Sequence, residues 1–152
     1  MKFLNLFRNK EQITKYDEIP EAPADNVILA YIKEFIGESD KLVEEKGIIY
    51  TLEELCKIAK HFEFIENNDE LNYFLEDITK FLKKYLNYTD PEFMGRLLFI
   101  IINMNLESLW FEVINPENFC DKRVKELIND AIKESNEYKY FKVNHVDEKK
   151  IN

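Results

Sequence analysis

The chain has 152 residues, enough for one domain with a substantial core. A hydrophobic fraction of 45% with 12 Phe and 8 Tyr excludes a disordered chain, and only 3 Gly and 4 Pro disfavour a turn-rich β fold. The formal net charge of −9 is unevenly spread: residues 16–136 hold 26 acids against 13 bases, whereas residues 1–15 are net +3 and residues 137–152 net +1.

A body this acidic repels nucleic acid and anionic membrane and attracts basic proteins; its plainest other use is solubility. Cys56 and Cys120 stand far apart with no C-x-x-C, the pattern of two reduced thiols in a cytosol. Met1–Arg8 is too short and interrupted for a signal peptide. The longest apolar run, Leu97 to Ile102, falls far short of the roughly 20 residues that span a bilayer. A cytoplasmic protein is expected.

In chain order, residues 1–24 read as an N-terminal arm with a short helix near its start. Ile19-Pro20-Glu21-Ala22-Pro23 is an extended stretch, because proline restricts the residue before it. The helical domain spans residues 25–136. Asp25 caps a first helix with Ile28, Ile32, Phe35 and Ile36 on one face. Gly37 is its expected end, but Leu42 and Val43 extend the stripe to Gly47, so the helix either runs on past Gly37 or restarts at Ser39. Ile48-Ile49-Tyr50 is a buried connector or a stray strand. Thr51-Leu52-Glu53-Glu54 fits a capping box opening a helix with Leu52, Leu55, Ala59, Phe62 and Ile65 inward.

After Asn67-Asn68 comes the clearest helix, with Leu71, Phe74, Leu75, Ile78, Leu82, Tyr85 and Leu86 spaced by three and four. Asp90-Pro91 starts the next, a cap followed by proline at the first helical position. Leu97–Ile102 is apolar all round, the mark of a central helix. That helix has room to bend at Asn103-Met104-Asn105 and continue through Leu109, Trp110, Val113 and Ile114. Asn115-Pro116 repeats the start signal, and Cys120, Val124, Leu127, Ile128, Ala131 and Ile132 mark the last helix. Residues 137–152 form a tail that can dock through its aromatics. The expected fold is all-α, a compact bundle of five to six helices, mostly antiparallel neighbours.

Catalytic chemistry finds little footing. The histidines are His61 and His145, and Cys56 precedes His61 by five residues, off the same helical face. There is no His-Glu-x-x-His, no Glu-x-x-His and no Gly-rich phosphate loop. Asn67-Asn68-Asp69-Glu70 lacks the glycine and spaced oxygens of a calcium loop. No basic patch accompanies the aromatics, which disfavours nucleic acid. No catalytic residue, metal site or cofactor is expected.

One segment stands out. Between Lys60 and Lys80 there is no Lys or Arg, and Glu63, Glu66, Asp69, Glu70, Glu76 and Asp77 fill the gap. Asp69 and Glu70 suit a helix start, while Glu76 and Asp77 have Lys80 or Lys84 within reach for pairing. Glu63 and Glu66 sit in a last turn, where the dipole disfavours acids. The alternatives are a solvated corner and a surface for a cationic partner, with Tyr73 as its aromatic anchor. The partner-binding residues expected are Glu63, Glu66, Asp69, Glu70, Tyr73 and Asp77. Asp17, Glu18, Glu21 and Asp25 form a second acidic stretch that either extends this surface or is a mobile arm.

A small, acidic, helical chain without catalytic motifs resembles the immunity proteins of bacterial contact-dependent growth inhibition and related polymorphic toxin systems. The likeness lies in size, charge and helix content over the whole chain. It implies binding to a cognate toxin domain, often a nuclease with a basic cleft, and neutralisation by stoichiometric occlusion, without turnover. The competing expectation is a helical adaptor or regulatory subunit of another complex. A third is an enzyme with an unrecognised carboxylate site.

Overall fold

The computed structural model describes residues 13–62, 65, 68–118 and 121–138. Among these the chain forms six α-helices and no strand, the expected all-α class. They are α1 (Asp25–Lys46), α2 (Ile48–Ala59), α3 (Asp69–Lys84), α4 (Pro91–Met104), α5 (Glu107–Val113) and α6 (Lys122–Tyr138). The short helix expected near the chain start, Cys120, His145 and the tail beyond Tyr138 lie outside the described residues.

The helix α4 is the centre. Eleven of its fourteen residues are buried, so it must be covered on every side. It packs against α2, α5 and α6, while α1 packs against α2 and α3. Asp90 opens α4 as expected, its carboxylate accepting the Glu92 N–H at 2.9 Å with Pro91 at the first position.

Of the two alternatives for α1, the helix runs on through Gly37. Glycine inside a helix costs about 1 kcal/mol against alanine. Leu42 and Val43 pack half-buried on the core beyond it, and helix continuation is what places them there. The break comes at Gly47, with φ 91, a backbone angle that side chains resist.

The capping box expected at Thr51 does not exist. Ile48, Ile49 and Tyr50 form the first turn of α2 instead of a connector or strand. The half-burial of Ile48 and Ile49 against the core draws the helix start back to Gly47. Thr51 is then interior, donating its hydroxyl to the Gly47 carbonyl at 2.8 Å.

Two further starts differ from expectation. The α4 helix stops at Met104, because Asn105 adopts the left-handed conformation (φ 56, ψ 50) that asparagine tolerates at a C-terminus. The chain then restarts as α5, so Leu109, Trp110 and Val113 belong to a separate helix. Asn115-Pro116 opens only a 3-10 turn, Pro116–Asn118. Asp121 caps α6, accepting the N–H groups of Arg123 at 2.8 Å and Val124 at 3.2 Å.

Over its second half, the expected arm is built into the body. A 3-10 helix, Lys15–Glu18, packs on α2. Tyr16 is only 2% exposed, edge-on to Phe35 of α1 at 6.0 Å, and Ile19 is buried beside it. No helix among the described residues is long and apolar enough to cross a membrane.

Candidate functional site

The acidic surface begins with the way α3 is seated. Asn68 caps it, accepting the Leu71 N–H at 2.9 Å. Leu71, Ile78, Phe81 and Leu82 turn inward, and Phe81 meets Phe35 of α1 edge-on at 5.7 Å. The opposite face, with Asp69, Glu70, Tyr73, Glu76 and Asp77, is exposed.

Helical spacing brings these residues together around Tyr73. Asp69 and Asp77 lie four residues to either side, and Glu70 and Glu76 three. The Tyr73 ring is 70% exposed. The pairs expected from Glu76 to Lys80 and from Asp77 to Lys80 or Lys84 do not form. Lys84 turns to Asp40 of α1 at 3.1 Å and Lys83 to Glu112 of α5 at 3.4 Å. Among the described residues, none of the four carboxylates has an ion-pair partner. The dipole at the start of α3 accounts for Asp69 and Glu70; it fades over the first turn and does not account for Glu76 and Asp77. Glu63 and Glu66 lie outside the described residues.

Glu76 also borders an open groove of about 550 Å³, with Asn72, Thr79 and Lys80 on the α3 wall and Asn105 and Glu107 at the α4–α5 junction. Leu75 and Leu106 line it as well, so the groove offers apolar surface beside hydroxyls, amides and both signs of charge.

The second acidic stretch is not one surface. Asp17 is engaged in a polar cluster that the sequence reading missed. Lys57 Nζ lies 2.8 Å from Asp17 Oδ2 and 3.0 Å from Glu54 Oε1, and donates to Thr14 Oγ1 at 3.1 Å. Thr14 donates its hydroxyl to Glu54 at 2.6 Å, and its N–H to Asp17 at 2.8 Å. Lys57 loses hydration on burial, yet its bonds to Asp17 and Glu54 outweigh that and hold its pKa above 10.5. Alongside, the Tyr16 hydroxyl donates to Glu38 at 2.6 Å, and Lys15 bridges Glu34 at 2.9 Å and Glu38 at 2.8 Å. Glu18 and Glu21 remain exposed.

Cys56 and His61 sit in different surroundings. Cys56 is buried, its thiol 3.8 Å from the Arg96 carbonyl. His61 follows the end of α2, and burial, reinforced by Lys60, lowers its pKa below 6.5. No group of three or more potential metal ligands assembles among the described residues. Comparison of the chain with known protein families, curated proteins and solved structures finds no match.

Proposed function

We propose that this protein is an immunity protein of a contact-dependent growth inhibition or related polymorphic toxin system. It binds a cognate toxin domain, a nuclease with a basic cleft, in the cytoplasm and neutralises it by one-to-one occlusion. The observation that carries this reading is the outer face of α3, where an exposed tyrosine is bracketed by four carboxylates, none of them in an ion pair among the described residues. Carboxylates held on a rigid helix occupy the places that substrate phosphates take in a basic cleft. Tyr73 offers a guanidinium a ring face, and the acids at three and four residues along offer it an ion pair. The chain's net charge of −9 steers such a partner toward it over longer range.

The test starts with partner capture from producing cells, followed by binding of the captured domain to charge-reversed variants. Asp69→Lys with Asp77→Lys, and separately Glu63→Lys with Glu66→Lys, are each expected to slow association, most at low salt. Unchanged association by both double variants removes this surface from the interface. A captured partner without basic surface or toxicity overturns the immunity reading itself.

A further inference from the structure

We infer that the segment Thr14–Ile19 exchanges between two copies of this chain, each copy's Tyr16 filling the other's slot between α1 and α2. The inference rests on the hinge behind the segment. Pro20, Glu21, Ala22 and Pro23 join it to α1, and among the described residues none of these four takes part in a backbone hydrogen bond. Ala22 has φ 47, a left-handed conformation in a residue with a Cβ. It also precedes Pro23, and the residue before a proline is driven toward extended backbone. One exposed residue therefore departs from both local preferences, and it lies in the stretch that returns the docked segment to α1. In an exchanged pair the hinge straightens, and Ala22 returns to the extended region that Ile19, before Pro20, already occupies at φ −61 and ψ 123.

What the segment binds is transferable without change. Its anchor is one ring, edge-on to Phe35 at 6.0 Å and 6.1 Å from Tyr31. Its polar ties run to Glu34 and Glu38 of α1 and to Glu54 and Lys57 of α2. A second copy presents the same slot with the same partners. Short hinges under strain favour this kind of exchange, since the closed and exchanged forms share every contact except the hinge.

The full chain at millimolar concentration and moderate salt, refolded and equilibrated, is expected to show a dimer by light scattering. A sample mixing isotope-labelled and unlabelled copies is expected to show Tyr16-to-Phe35 contacts between molecules. Ala22→Gly leaves the fold and the slot intact but removes the Cβ penalty of the closed hinge in both copies, so its dimer should dissociate about a hundredfold more readily. A chain that stays monomeric under these conditions overturns the inference. So does a dimer whose Tyr16-to-Phe35 contacts are all within one molecule, or one that Ala22→Gly leaves unchanged.

Discussion

Lys57 Nζ lies 2.8 Å from Asp17 Oδ2, an ion pair that bridges 40 positions of sequence and ties the N-terminal segment to α2. Lys57 is paired on its other side with Glu54, which is only 3% exposed. Replacing one member of a buried set strands the charge of the others, which is more damaging than removing all of them. Lys57→Met should cost about 3 kcal/mol in urea unfolding. The double variant Lys57→Met with Glu54→Leu should recover much of that loss, and a double variant no more stable than the single one would refute the account.

Tyr16 brings pH into the same region. Burial first, and then its hydrogen bond to Glu38, raise its pKa far above the ordinary value of 10.0. A group with a raised folded pKa contributes stability that is complete below the unfolded value and is lost as pH rises above it. Stability should therefore fall from about pH 10 upward as the unfolded chain ionises Tyr16 and the folded chain does not. Tyr16→Phe should flatten that alkaline decline, while losing about 1 kcal/mol at neutral pH with the hydroxyl bond. Denaturation midpoints from pH 7 to 11 read both effects.

Phe35 joins three elements: it is fully buried in α1, edge-on to Tyr16 at 6.0 Å and to Phe81 of α3 at 5.7 Å. Phe35→Ala should destabilise by about 3–5 kcal/mol, because ring burial is lost and a cavity remains where three elements meet. A loss below 1 kcal/mol in chemical denaturation would mean that the site collapses freely.

Gly37 offers the opposite sign. It sits inside α1 with nothing within 4 Å of where a Cβ would stand. Gly37→Ala should stabilise by about 0.5–1 kcal/mol, since alanine has less freedom to lose on folding. Thermal unfolding checks it, and a fall in midpoint would contradict the open space.

On the α3 face, charge and ring should separate kinetically. Asp77→Lys should act on the association rate and on its salt dependence, whereas Tyr73→Ala should act mainly on dissociation, slowing association little. Stopped-flow or surface kinetics with the captured partner distinguish them. Equal effects of both variants on association would deny Tyr73 an anchoring role.

The legible parts of the fold were those coded by neighbours in sequence. The stripe from Leu71 to Leu82 announced α3, the all-round apolar run announced α4 as central, and Asp90-Pro91 marked its start. The acidic face of α3 was legible for the same reason, since residues three and four apart share a helical face wherever the helix lies. The errors arose where a local signal met a stronger tertiary demand. Thr51 and Glu54 have the spacing of a capping box, but packing of Ile48 and Ile49 begins the helix earlier, and Glu54 pairs with Lys57 and Thr14. The second acidic stretch looked like free surface because Lys57 is 40 positions from Asp17.

Most helical stripes and the excess of negative charge follow from the chain alone, because periodicity and composition act within a few residues, whereas the start of α2 and the break between α4 and α5 do not. Which acids are neutralised and which stay bare follows from how the helices pack. Lys84 and Lys83 are drawn from α3 to Asp40 and Glu112, while Asp17 is bound by a distant lysine. Ion pairing depends on distance in space, and α3 acquires its unpaired face from the helices that pack beside it.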